Sequence, residues 1–460
     1  MRGFFNALAK NQPTEIHRQM QTSHNAYSDR AIWSIAAPMM LSGVSVPLLG
    51  FVDTAVMGHL GDAYWMGAVA AGATIFTVLF MGMNFLRMGT TGLAAQALGA
   101  GETGLARTIL AQSSIIALAL AALLILLQVP LLNISLQLLA APPDVGIATR
   151  EYFSIRIWAA PATLINFTLV GWFLGMQNAR APLAIILLIN SLNIALDLLL
   201  VPVSGWQIAG VAWASVVAEY AGLALAIVLL QRELTKHKGR IDLRELWQVS
   251  RYRRLFSINT NLFVRTMALM LILAFITAQG ARYGELILAA NAVLLNLQLF
   301  LSYALDGLAH AAEALSGKAF GSQNQAALRW VVKRSLYWSV FIAAIFCGVY
   351  GLLGEAIVGA VTNIPEVRLT AAEYLPWIII SPLISVWCFL YDGIFVGLTR
   401  SREMLIVMAG SALMVFLPVW YLSTGLGNNG LWLAFTCFMA ARGMGMHLYA
   451  KRILAVTGVR

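Results

Sequence analysis

Long apolar runs free of charge, separated by short polar punctuation, dominate the pattern of this chain. The longest charge-free stretches, 108–143 and 404–441, each exceed one membrane crossing and need an interruption. Asn133 and Pro142-Pro143 close the first, and Gly425, Gly427, Asn428 and Asn429 break the second. The same reading predicts twelve helical spans, near 31–58, 67–97, 107–132, 149–177, 182–201, 208–231, 255–279, 286–316, 331–357, 370–398, 403–423 and 429–452. A helix of roughly 20 apolar residues crosses the hydrocarbon layer, so the expected fold is an all-α polytopic membrane protein.

Composition agrees. Of 460 residues 60% are hydrophobic and 11% charged, and mean hydropathy is +0.78. A soluble domain carries about 25% charged residues, so a large soluble globule is excluded. The net charge of +10 would point to nucleic acid in a soluble protein, but here the positions of the charges matter more. Most of the 30 Lys and Arg fall at the termini or in loops after even-numbered spans, among them Arg107, Arg180, Lys318, Arg329, Lys333, Arg334, Arg400 and Arg402. The densest group is the central segment 232–254, with Arg232, Lys236, Lys238, Arg240, Arg244, Arg251, Arg253 and Arg254. The positive-inside rule then puts both termini in the cytoplasm and this linker along an anionic leaflet, with no role for nucleic acid. The expected organisation is a cytoplasmic tail over 1–30, an N-lobe over 31–231, the basic linker 232–254, a C-lobe over 255–452 and a tail over 453–460. No apolar signal region is visible in the first 30 residues. Cys347, Cys388 and Cys437 lie in apolar runs without metal-ligand spacing and read as small buried residues.

The chain also repeats itself. Phe51-Val52-Asp53-Thr54 is echoed by Phe263-Val264-Arg265-Thr266, Gly99-Ala100-Gly101 by Ala319-Phe320-Gly321, Phe173-Leu174-Gly175-Met176 by Phe395-Val396-Gly397-Leu398, and Gly210-Val211 by Gly430-Leu431. Four echoes in one order mark two six-helix units. An even number of spans makes the repeat parallel, related by an axis along the membrane normal, a plan that places a cavity near the midplane.

A charge at mid-bilayer costs about 2.5–3.5 kcal/mol on insertion scales, so ionisable residues inside spans are functional candidates. The first half holds Asp53 and Asp197, and less deeply Arg87 and Glu219. Asn193 and Asp197 are four apart and share a helix face, an oxygen cluster able to take a proton or a hard cation such as sodium. In the second half Arg265 stands at the position of Asp53 in the echo, the eighth span carries Asp306, His310 and Glu313, and the tenth carries Asp392. Arg265 paired with Asp306 or Asp392 is the expected polar network there, with His310 able to titrate near neutrality. The first half is therefore the expected place of ion coupling. Pro38 and Pro47 flank Ser42-Gly43-Val44-Ser45 and are expected to kink helix 1, which could convert protonation of Asp53 into bending.

The run from Gly50 to Gly61, Gly-Phe-Val-Asp-Thr-Ala-Val-Met-Gly-His-Leu-Gly, resembles the first-helix motif of multidrug and toxic compound extrusion (MATE) transporters. Thr91 to Gly101 resembles that family's end of helix 2, Glu313 to Gly321 its counterpart in the second lobe, and Asn178 to Pro182 the loop before helix 5. Leu86 to Gly92 and Ala309 to Glu313 look most like the DinF (DNA-damage-inducible protein F) branch. The resemblance implies the MATE fold, two pseudo-symmetric six-helix lobes, and antiport of cytotoxic, often cationic or amphipathic compounds against protons or sodium ions, with no other cofactor. It implies a cation-coupling site of Asp53, Asn193, Asp197 and a helix 6 hydroxyl at Ser215, where relatives often carry Thr. It further implies a substrate cleft lined by Tyr152, Asn166 and Met57, a Pro38 kink that responds to the site, and a monomer in a bacterial inner membrane.

Two alternatives stand beside it: a major-facilitator-type drug transporter and a lipid-linked substrate flippase. The loop 99–107 lacks the Asp-Arg pair of the major facilitators. An enzyme is not expected, because no phosphate-binding glycine loop with Lys, His-Glu metal motif or Ser/His/Asp set is evident.

Overall fold

In lipid the helix satisfies every backbone N–H and C=O within the segment, and apolar runs of this length take that solution. The computed structural model describes the backbone of residues 27–58 and 63–456 and the side chains of 27–45 and 64–455. The helices are α1 (Asp29–Gly58), α2 (Ala63–Met83), α3 (Phe85–Gly99), α4 (Thr103–Leu126), α5 (Gln128–Leu138), α6 (Pro143–Arg156), α7 (Ala160–Gly175), α8 (Arg180–Leu200), α9 (Gln207–Lys236), a short α10 (Leu243–Leu246), α11 (Val249–Arg282), α12 (Glu285–Gly321), α13 (Gln325–Val361), α14 (Pro365–Gly397), α15 (Ser401–Ser411), α16 (Leu417–Leu422) and α17 (Asn428–Val456). No strand occurs among the described residues. Paired as α2–α3, α6–α7 and α15–α16, with α1, α4, α8, α9, α11, α12, α13, α14 and α17 standing singly, the helices follow the predicted spans in order. Ten spans among the described residues are long and apolar enough to cross a membrane, and α1 and α17, 30 and 29 residues long, flank them.

The breaks have chemical causes. The expected single helix over 107–132 is corrected: α4 stops at Leu126, four residues before Pro130. Proline has no N–H for the carbonyl four residues back, and its ring clashes there. A π-helical turn at Ala412–Phe416 interrupts the eleventh span just before Pro418. By contrast Pro38 and Pro47 both lie inside the one continuous helix α1.

The repeat is visible in backbone geometry. Six of the nine positive-φ residues among those described fall in pairs, Gly101 with Gln323, Gln177 with Thr399 and Gly205 with Gly427, each 222 positions apart. The register read from sequence is thereby corrected, because Gly99, not Gly101, corresponds to Gly321. With the same spacing Arg265 corresponds to Gly43 rather than Asp53.

Small residues let the helices touch at the backbone. A Cβ at Gly171 would overlap the Arg87 carbonyl, and one at Gly393 the equivalent Ala309 carbonyl, so α3–α7 and α12–α14 are one contact made twice. The halves meet across a related seam. Gly99 lies against the Lys318 carbonyl, and Gly321 against the Gln96 carbonyl, an exchange of equivalent positions about a pseudo-two-fold axis. Side chains repeat the exchange: Gln96 Nε2 donates to Gly397 O (2.8 Å) and Thr399 Oγ1 (3.2 Å), while Lys318 Nζ donates to Gln177 Oε1 (3.0 Å). Asp29 at the start of α1 accepts from Arg334 Nε (2.9 Å) and Trp338 Nε1 (3.0 Å) of α13. These ties all lie at the end of the bundle that carries the loops after α3, α7, α12 and α14.

Candidate functional site

The i, i+4 spacing on α8 stacks Asn193 over Asp197, and α9 packs beside them to bring up Ser215. All three are buried, Asp197 completely. Asn193 Nδ2 stands 3.0 Å from Ser215 Oγ. With the amide turned over, its nitrogen donates to Asp197 Oδ2 at 2.6 Å and its oxygen accepts from Ser215 Oγ at 3.0 Å. One turn earlier on α8, Asn190 Nδ2 donates to Ser45 Oγ of α1 at 2.8 Å. The structure thus assembles Asn193, Asp197 and Ser215 and seats α1 on the same helix. The side chains of Asp53 and Met57 lie outside the described residues.

The cleft residues are placed less uniformly. Asn166 of α7 donates to Glu219 of α9, to Oε2 at 3.0 Å and to the backbone carbonyl at 3.1 Å. Glu219 is one turn from Ser215, so it extends the polar face of α9; its charge inside an apolar span was the sequence signal. Tyr152 is fully buried, with its ring against the Cα of Gly72 and its hydroxyl accepting from Arg156, whose guanidinium lies 5.3 Å from the Phe76 ring centre. That is packing between α2 and α6. Pro38 is half-buried on α1.

The predicted second-half network divides in two. Asp392 of α14 sits between two arginines, Arg265 of α11 and Arg442 of α17, the latter donating at 2.8 Å. Arg442 was not foreseen in this network. His310 and Glu313 of α12 pair instead with Arg87 of the first half: Arg87 Nη1 lies 3.3 Å from His310 Nδ1 and 3.4 Å from Glu313 Oε2. Arg87 is held in turn by Asn84, the residue between α2 and α3, through Nε to Oδ1 at 3.2 Å. Asp306 accepts from Ser302 at 3.3 Å. The set therefore includes a tie between halves rather than a network within one. No group of metal-binding side chains occurs among the described residues.

A polytopic helical repeat with buried polar clusters in each half, and a seam between halves, is the plan of a membrane transporter. Comparison gives the family: the MatE family model matches residues 38–199 and 262–422, and the chain belongs to that family. Membership in this family sets aside the major-facilitator alternative, and its members are transporters and not enzymes. The chain is 42% identical over 431 residues to the DNA damage-inducible protein F of Escherichia coli (strain K12), covering 92% of each. It is 22% identical to a probable multidrug resistance protein NorM of Rhizobium meliloti (strain 1021), covering 92% of this chain and 93% of that one. A MOP superfamily transporter from Pyrococcus furiosus shares the fold, with a TM-score of 0.85 at 16% identity over 94% of this chain and 97% of the other.

Proposed function

We propose that the protein is a secondary active antiporter that exports cytotoxic, cationic or amphipathic organic compounds in exchange for protons or sodium ions. The observation that supports it best is the buried Asn193–Asp197–Ser215 cluster. Its amide serves either protonation state. A carboxylate at Asp197 accepts from the Asn193 nitrogen; a carboxylic acid donates to the Asn193 oxygen across the same 2.6 Å, leaving the nitrogen for Ser215. One amide flip exchanges the two states. The same oxygens suit a sodium ion. Asp53, on the helix that packs against α8, is the proposed protonation switch, and Pro38 its hinge.

The multidrug resistance description of the Rhizobium relative supports drug or toxin cargo. In this reading the protein is a monomer in a bacterial inner membrane, with cytoplasmic termini. An N-lobe over 31–231 holds the coupling site, a basic cytoplasmic linker over 232–254 follows, and a C-lobe over 255–452 completes it.

The test is transport of a cationic dye in everted vesicles under an imposed proton or sodium gradient. Wild type is expected to respond to one gradient alone, which names the ion, and Asp53→Asn and Asp197→Asn are expected to lose that response. Normal transport by both variants under the driving gradient would refute the reading.

A further inference from the structure

The basic linker and the loop after α14 meet in a groove that the transport reading does not use. Its volume is about 670 Å³, and its walls include Ser250, Arg253, Arg254 and Asn261 from the start of α11, and Arg400 and Arg402 from the start of α15. Arg400 leans on Glu403 at 3.4 Å, the one carboxylate in the lining. Arg253, Arg254 and Arg402 have no carboxylate partner among the described residues. The groove is therefore strongly electropositive.

The chain segment that supplies one wall is apolar at its exposed positions, where a soluble protein would be polar. Leu243, Trp247, Val249 and Phe256 are all about 70% exposed or more on the linker and the first turns of α11. Exposed Trp and aliphatic side chains beside arginines, where a helix enters its span, match the headgroup boundary of a bilayer. Guanidinium groups recognise phosphate oxygens in bidentate geometry, and basic pockets between transmembrane helices bind anionic lipid headgroups. A free phosphate would account for the arginines but not for the exposed apolar side chains on the same segment.

We propose that the groove between the starts of α11 and α15 binds the phosphate headgroup of an anionic phospholipid. A second cavity of about 1030 Å³ shares Arg254 and Phe320 with this groove and reaches Gln96 and Gly321 of the seam. The bound headgroup thus sits beside the contact that joins the halves.

The full-length protein is delipidated in detergent and titrated with phosphatidylglycerol or phosphatidylcholine, and lipid adducts are counted by native mass spectrometry. Wild type is compared with R253Q/R254Q/R402Q and with the charge-matched linker variant R232Q/R240Q/R244Q. The expected result is preferential phosphatidylglycerol binding by wild type and by the linker variant, and about tenfold weaker binding by the groove variant. All three arginines are exposed, so the variant is expected to elute as the wild type does; Arg402→Gln alone gives a smaller loss in the same direction. Equal binding by all proteins, or equal loss in both triple variants, would overturn the site. Displacement of the lipid by excess inorganic phosphate alone would overturn the lipid assignment in favour of a free phosphate site.

Discussion

Arg87 of α3 and Glu313 of α12 meet at 3.4 Å, although they belong to different halves of the repeat and lie 226 positions apart. The Glu313 side chain is 2% exposed and that of Arg87 12%. The pair holds only while the halves stay apposed at this level. Breaking one partner of a buried pair costs about 3–5 kcal/mol, whereas replacing both with apolar groups is often neutral. Glu313→Ala is therefore expected to destabilise by about that much, and Arg87→Met with Glu313→Leu to recover most of it. Thermal unfolding in detergent measures both; equal losses would show that the two do not act as a pair.

Asp392 serves two arginines, and this ranks its variants. Asp392→Ala leaves Arg265 and Arg442 facing each other in buried surroundings, while Arg265→Ala leaves a single matched pair. Asp392→Ala is expected to be the more damaging by about 2 kcal/mol or more. The comparison is read from folded yield and unfolding temperature, and the reverse order would contradict it.

The seam depends on glycine. A methyl group at Gly99 or Gly321 has no space against the Lys318 or Gln96 carbonyl, both backbone atoms that cannot step aside. Gly99→Ala and Gly321→Ala are each expected to open this end. A thiol introduced by Ala319→Cys, at a position fully buried in the wild type, should then label faster with a maleimide. Labelling at the wild-type rate would mean that the seam tolerates the methyl.

Ser215 contributes one hydroxyl to the Asn193–Asp197 cluster. A hydrogen bond of this kind is worth about 1 kcal/mol, so Ser215→Ala should weaken the coupling ion about fivefold and Ser215→Thr should not. The ion concentration for half-maximal transport in vesicles decides it.

Pro38 denies α1 one ladder bond, since the Ser34 carbonyl has no N–H four residues on. Pro38→Ala is expected to leave the amount in the membrane unchanged and to reduce efflux. Unchanged drug efflux would show the proline to be a static feature of the helix.

Some of this was legible one residue at a time. Asn193 and Asp197 declare themselves by helical spacing in an apolar run, and they do form one cluster. Ser215 carried no such signal: a lone serine among Ala and Val is an ordinary helix residue, and only the family resemblance marked it. Arg265 with Asp392 was foreseen, but Arg442 was not, because nothing in the local pattern says which face of α17 meets α14. The repeat was read two residues out of register at Gly101, since glycines in a turn look alike until backbone φ separates them.

The sequence by itself determined the spans, their order and the duplication. Hydropathy acts on each segment separately, and lipid asks of each only that its length be apolar and its backbone satisfied. Tertiary structure alone decided the partners. Which charges neutralise one another, and which glycines admit a neighbouring carbonyl, depends on which helix faces abut. Arg87 with Glu313, Asp392 between two arginines, and Gly99 against Lys318 are contacts among residues tens to hundreds of positions apart. Local pattern has no purchase at that range, because the energy lies in the contact and not in the residue.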